Sequence, residues 1–115
     1  MGLECTVWAQ QVIRGMFEVP KSDRPDCLVI DDDNLVEHAT AGIVAAGVRV
    51  PEELEVVAHC NFPWPPFKTL PIKRLGLDVR AVLRRGIDLI DRKRAGKKIP
   101  PVVHIDAVWE ADAER

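Results

Sequence analysis

Acidic and polar side chains follow directly after two apolar segments of the sequence. Asp31–Asn34 comes after the apolar run Cys27–Ile30, and His59–Asn61 comes after Leu54–Ala58. Carboxylate and amide groups placed at the ends of strands can accept and donate the hydrogen bonds that hold a small hydroxylated molecule. We therefore take Asp32, His59, Cys60 and Asn61 as candidate ligand-binding residues.

The acidic run itself has two interpretations. Because side chains alternate along a strand, at most two of Asp31, Asp32 and Asp33 can face one side, and Asp32 is the candidate for contact with a ligand. The alternative is that these carboxylates only end the strand and cap the next helix, where the helix dipole stabilises them.

Three other chemistries fit these residues less well. A phosphoacceptor site needs a Lys after a late strand, and Lys73 is the one plausible residue in a chain with too few strands for that fold. His38, His59 and Cys60 lack the paired spacing of a zinc site. A nucleophile pair of His59 and Cys60 fails because adjacent strand residues point to opposite faces. We expect no catalytic residue, no metal and no cofactor.

The elements that position these residues alternate between helix and strand. Apolar spacing predicts an amphipathic helix over Thr6–Met16, and Asn34 with Glu37 predicts the capped start of a second helix that Gly47 ends. The predicted strands are Cys27–Ile30, Leu54–Ala58 and Val102–Val108. The third predicted helix is long and amphipathic and runs from Leu77 to Ala95, where Gly96 ends it.

The stretch from Cys60 to Pro71 is rich in proline and carries three large aromatic residues, Phe62, Trp64 and Phe67. We interpret it as a stiff surface loop. Its aromatic residues are candidates for the contact surface of a homodimer; the alternative is that they cover the edge of the sheet.

This alternation predicts an α/β fold, namely a Rossmann-like three-layer lobe in which a parallel sheet carries helices on both faces. In such sheets ligands bind beyond the carboxyl ends of the strands, which is where Asp31–Asn34 and His59–Asn61 are expected.

Length and charge narrow the functional classes. The chain has 115 residues, which is one domain or less, and its net charge of −2 gives no positive field for binding nucleic acid. The three cysteines are odd in number and widely spaced, so we expect them to be reduced in a cytoplasmic protein. No apolar run is long enough to predict a membrane span.

Two segments resemble the LacI/GalR family of bacterial transcription regulators. Arg24–Leu35 is similar to the family's RPTAVFCANDxLA segment, with Asp32 and Asp33 at its Asn-Asp pair. Ala45–Ala58 is similar to its xxGLRVPEDVSVVG segment, and a looser likeness continues through Pro71 to Glu110.

The resemblance implies the carboxyl-terminal part of a type I periplasmic-binding-protein fold over residues 1–115, without the DNA-binding helix-turn-helix or the first lobe. Members of the family bind sugars or related metabolites between two lobes and act as homodimers on operator DNA. The family's effector-contacting Asn maps to Asp32 and its effector-contacting Asp maps to Cys60, while Trp109 replaces the usual Arg of the last strand.

We therefore expect a non-enzymatic sensor lobe that binds a sugar-like effector, forms homodimers and meets operator DNA only through the missing helix-turn-helix. The alternative is a solute-binding component of a transport system with the same fold. A third possibility is that the isolated lobe has no biochemical activity, because half a cleft offers half its contacts.

Overall fold

The computed structural model describes residues 3–63, 65 and 68–113. Its helices and strands, in chain order, are α1 (Leu3–Met16), β1 (Cys27–Ile30), α2 (Val36–Ala45), β2 (Glu55–Phe62), β3 (Lys73–Asp78), α3 (Val79–Arg94), β4 (Val108–Trp109) and α4 (Glu110–Ala113). Short 3₁₀ turns precede β1 and α2, at Lys21–Asp23 and Asp33–Leu35. Within these ranges no helix combines the length and apolar character needed to cross a membrane.

The strands form one sheet in the order β1-β2-β3-β4. β1 runs parallel to β2, with Ile30 opposite Ala58, and β2 runs parallel to β3. β4 is antiparallel to β3 and pairs only Val108 and Trp109 with it. The predicted α/β class is confirmed, and the short β4 makes the sheet mixed rather than purely parallel.

The core lies between one face of the sheet and the first two helices. The sheet contributes buried apolar side chains from β1 and β2, and the side chains that pack on them come from α1, from the residue after it and from α2. They are Ile30, Val56, Ala58, Ile13, Phe17, Ala39 and Ile43. Gly42 lets the two helices approach closely, because a Cβ there would lie 2.7 Å from the Gln10 carbonyl oxygen. The buried apolar area of this layer holds the sheet and both helices together.

The predicted helix ends are confirmed on the carboxyl side. Gly47 and Gly96 adopt φ values of 68° and 76° just after α2 and α3, where a left-handed residue ends a helix. The predicted cap pair of Asn34 and Glu37 is wrong. Asn34 lies inside the 3₁₀ turn before α2, and the Asp32 side chain caps that turn.

The middle of the chain differs most from the sequence prediction. β2 runs to Phe62, so His59–Asn61 lies within the strand and not after it. β3 was not predicted, and Leu77, expected to open the long helix, lies in this strand. β3 is short, carries charged residues and contains Gly76, which weakens its apolar alternation. Only the pairing with β2 makes it a strand.

The predicted strand from Val102 to Val108 is also wrong, since only Val108 and Trp109 pair. The neighbouring strand offers two residues in register, Leu75 and Gly76, so the rest of the segment has no partner along its length.

The third helix does not complete a second helical layer. None of its residues is buried, and its apolar side chains stay largely exposed to solvent. The radius of gyration is 18.4 Å and the longest dimension 62 Å, whereas a compact chain of this length has a radius near roughly 13 Å. The layer on one face of the sheet is formed, and the other face is left open.

Candidate functional site

The carboxyl edge of β1 and β2 joins two of the polar segments. The Asn61 side-chain amide donates a hydrogen bond from Nδ2 to Oδ2 of Asp33 over 3.2 Å. β2 extends beyond the end of β1, and this places Asn61 beside the turn that carries Asp33. An exposed carboxylate and an amide, side by side, can accept from and donate to adjacent hydroxyl groups of one ligand.

The Asp32 side chain accepts hydrogen bonds within its own turn. Its Oδ1 accepts hydrogen bonds from the backbone N of Asn34 at 2.9 Å and from the Asn34 side-chain amide at 3.0 Å. This arrangement is the helix-capping alternative considered for the acidic run. Contact between Asp32 and a ligand stays a prediction.

His59 and Cys60 point to opposite faces of β2, as the alternation of a strand requires. Cys60 is 2% exposed on the helix-covered face, next to Gly76. Burial raises the pKa of the Cys60 thiol and keeps it protonated. His59 is half-buried on the open face, beside Leu75. Neither side chain takes part in the hydrogen bond between Asp33 and Asn61.

A groove begins at Asp33 and runs between α2 and the loop before β3. Its polar lining comes from the start of α2 and from that loop and consists of Asp33, Asn34, Glu37, Thr40, Lys68 and Thr69. Its apolar wall includes Val36, Val44 and Ile72. Polar groups on one side and aliphatic groups on the other suit a small polyol, which carries hydroxyls at its rim and C–H groups on its faces.

A charge network fixes the loop that carries Lys68. Lys68 Nζ lies 3.0 Å from Glu110 Oε2, and Arg74 Nη1 lies 3.2 Å from Glu110 Oε1. Arg74 is 5% exposed, so one buried guanidinium on β3 and one carboxylate on α4 hold the wall of the groove. This network could not be predicted from the sequence, because its members are far apart in the chain and β3 was not predicted.

Asp33, Lys68 and Thr69 are the members of the site that sequence reasoning did not select. Asp33 was inside the acidic run, and its pairing with Asn61 depends on the extra length of β2. Lys68 and Thr69 lie within the proline-rich stretch, which was interpreted only as a stiff surface loop with aromatic contact residues.

The predicted dimer-contact residues fall in different places. Phe62 is 2% exposed, so its side chain is in the interior of this chain. Trp64 and Phe67 lie outside the described residues. Their part in an interface stays a prediction.

No metal centre is assembled in the part of the chain that the structure describes, where no three His, Cys, Asp or Glu side chains converge.

The sequence is similar to that of a known bacterial repressor. No family model matches the chain. The lactose operon repressor of Rhizobium radiobacter is 26% identical over 94 residues, which cover 80% of this chain and 83% of that protein.

Comparison of the fold gives crystal structures of a LacI family transcriptional regulator from Lactobacillus casei. The form with bound sucrose has a TM-score of 0.67 at 18% identity, covering 88% of this chain and 37% of the regulator. The form with bound glucose has a TM-score of 0.67 at 20% identity, with 88% and 36% covered. The chain thus spans little more than a third of these regulators. The resemblance to the LacI/GalR family and the periplasmic-binding-protein-like fold are confirmed.

Proposed function

We propose that this chain, a LacI/GalR-type sequence with the fold of that family's effector domains, is the carboxyl-terminal lobe of a sensor domain that binds a sugar-like metabolite. The hydrogen-bonded pair of Asp33 and Asn61 at the carboxyl edge carries the proposal. In parallel α/β sheets this edge is where ligands bind. The sucrose and glucose held by the Lactobacillus casei regulator support a sugar as the ligand class.

The chemistry of the pair suits a sugar. A carboxylate accepts two hydroxyl hydrogens, and charge-assisted hydrogen bonds of this kind are shorter and stronger than neutral ones. Asn61 fixes Asp33 through one amide hydrogen and retains a carbonyl oxygen that can accept another hydroxyl. The groove beyond Asp33 gives the rest of the ligand an aliphatic wall and the ammonium group of Lys68.

In this proposal the whole protein carries a second lobe and a helix-turn-helix in addition to residues 1–115. The ligand bridges the two lobes, and closure of the hinge between them changes the population of the state that binds operator DNA. Two copies act together, because a helix-turn-helix dimer reads two half-sites of an operator. The protein acts in the cytoplasm, where operator DNA is, and as a sensor it needs no catalytic residue and no cofactor.

The test is a titration of the full chain with glucose and with sucrose, followed by the chemical shifts of its backbone amides. We expect millimolar binding, since a single lobe supplies only part of the contacts of a closed cleft. The expected shifts cluster at Asp31–Asn34, Asn61 and Lys68–Thr69. Shifts confined to α1 or to Val29, Val57 and Leu75 in the middle of the sheet, or no shift with either sugar, would overturn the proposal.

A further inference from the structure

The face of the sheet opposite the core has an apolar centre that no helix of the described chain covers, and Glu55, His59, Asn61 and Lys73 lie on the same face around it. The apolar side chains that alternate onto this open face come from all four strands and are Val29, Val57, Leu75, Leu77 and Trp109. Val29 is 68% exposed and Trp109 is 45% exposed. Contiguous apolar surface of this kind marks a place where another element packs.

The third helix carries a matching apolar stripe that is largely exposed to solvent. Val82, Leu83, Ile87 and Ile90 recur at three- and four-residue spacing and are between 39% and 60% exposed. In a three-layer α/β lobe this is the stripe that packs on the open face. Both halves of one interface are therefore present in the chain, and each leaves apolar side chains exposed to solvent.

The chain cannot close this interface on itself. β3 ends at Asp78 and α3 begins at Val79, with no residue between them. Asp78 also fixes the junction: its Oδ1 accepts from the backbone N of Arg80 at 3.0 Å, and its Oδ2 lies 2.8 Å from Arg80 Nη2. A helix that returns over its own sheet needs a connection of about 2–6 residues. The helix of a second copy has no such restriction.

The two surfaces also agree in length. The helix has 16 residues, which at about 1.5 Å per residue extends roughly 24 Å. The central strand β2 has 8 residues, or roughly 26 Å at about 3.3 Å per residue. A single helix therefore covers the open face along the full length of its longest strand.

Charges at the ends of the helix and of the strands favour one direction of α3 across the open face. In a βα unit the helix runs antiparallel to the strands, so the carboxyl end of α3 lies over the amino ends of the strands. That end of the helix is basic, with Arg92, Lys93 and Arg94 in its last turn. Four carboxylates, Asp26, Glu52, Glu53 and Glu55, lie around one depression at the amino ends of the strands, and Lys73 there pairs with Glu55, so the balance of charge is acidic. Opposite charges meet in this direction, and α3 laid the other way would lose the match.

We propose that two copies of this chain exchange α3 reciprocally, so that the helix of each copy covers the open face of the other. The exchange completes the three-layer lobe in each of the two copies and forms a closed dimer. It is a domain swap in which the short junction between β3 and α3 is the hinge. The proposed exchange does not depend on the sensor function, because it is tested by the mass of the protein in solution and not by ligand binding.

The first test measures mass by light scattering after size-exclusion chromatography. The wild-type chain is expected at twice 12.9 kDa. Ile87→Asp on the helix and Val29→Asp on the open face are each expected to run as monomers, because each buries a charge in both copies of the interface. Val44→Asp is the matched control: Val44 is 58% exposed on α2, outside both surfaces, and its variant stays dimeric. Circular dichroism should be unchanged in all three, since none of these side chains is buried.

Mixing the two monomeric variants is the sharper test. In a reciprocal exchange, the intact helix of the Val29→Asp chain packs on the intact face of the Ile87→Asp chain, so an equimolar mixture regains a dimer weaker than wild type. Contact of helix with helix, or of face with face, regains none. A monomeric wild-type chain, a monomeric Val44→Asp variant, or a mixture that stays monomeric would overturn the exchange.

Discussion

Gly76 lies so close to Cys60 that a Cβ at position 76 would be 1.6 Å from the Cys60 carbonyl oxygen. The two residues are partners in the parallel register of β2 and β3, so the missing side chain is what lets these strands pair. β3 in turn carries Arg74 on the core side and leads directly into α3. The position of β3 and α3 therefore depends on the close approach of the β2 and β3 backbones at Gly76.

Gly76→Ala is expected to lower the free energy of unfolding by about 3 kcal/mol or more, since backbone has to move to admit the methyl group. Gly15→Ala is the control: nothing lies within 4 Å of a Cβ at that position of α1, and alanine there should stabilise by up to about 1 kcal/mol. Urea denaturation of both variants makes the comparison. Equal effects would mean that β2 and β3 do not pair in this register.

Asp32→Ala tests the turn that precedes α2. Loss of the cap should cost about 1 kcal/mol of unfolding free energy, because the Asn34 backbone N–H loses its acceptor. Asp31→Ala removes a neighbouring exposed carboxylate and should change stability by less than about 0.5 kcal/mol. A larger effect at Asp31 than at Asp32 would show that the cap is assigned to the wrong residue.

Glu110→Ala tests the charge network behind the groove. Arg74 has 6% of its side chain exposed, and loss of its hydrogen bond to Glu110 should destabilise the chain by about 1.5–3 kcal/mol, the range for hydrogen bonds to charged groups. Lys68→Met removes the other cation, whose side chain is 38% exposed, and should cost no more than about 1 kcal/mol. Thermal unfolding of the two variants measures both losses of stability. Equal losses would contradict the burial of Arg74.

Thiol reactivity reports the burial of Cys60. In a Cys5→Ser background, exposed Cys27 should react with a thiol reagent at once, and Cys60 only when the chain opens. Because burial raises the pKa of Cys60, the folded chain holds its proton to higher pH than the unfolded chain does. The contribution to stability is thus complete below the unfolded pKa and is lost as the pH rises. Cys60→Ala should flatten the fall in stability above about pH 9, and an unchanged fall would contradict this burial.

The sequence predicted those parts of the fold that rest on local signals. The strand Cys27–Ile30, the helix ends at Gly47 and Gly96 and the amphipathic first helix all follow from apolar spacing and from the backbone freedom of glycine. These signals act over a few residues, so one sequence contains them.

The parts that were missed depend on pairing across the chain. β3 becomes a strand because β2 offers it a partner, and β2 continues past Ala58 for the same reason. The extension of β2 places Asn61 beside Asp33 and turns Cys60 into the core, so the site could not be assembled from the sequence alone. The bare stripe of α3 was visible in the sequence, but the lack of a connection after Asp78 was not.

The most direct measurement of the central claim is the sugar affinity of Asp33→Ala beside that of Asp31→Ala, each from amide shift titrations with sucrose. The account predicts that Asp33→Ala loses affinity by roughly tenfold or more, because a hydrogen bond to a charged group contributes about 1.5–3 kcal/mol. Asp31→Ala should bind as the wild-type chain does. Equal affinities for the two variants, or a loss confined to Asp31→Ala, would contradict the placement of the sensor site at Asp33 and Asn61.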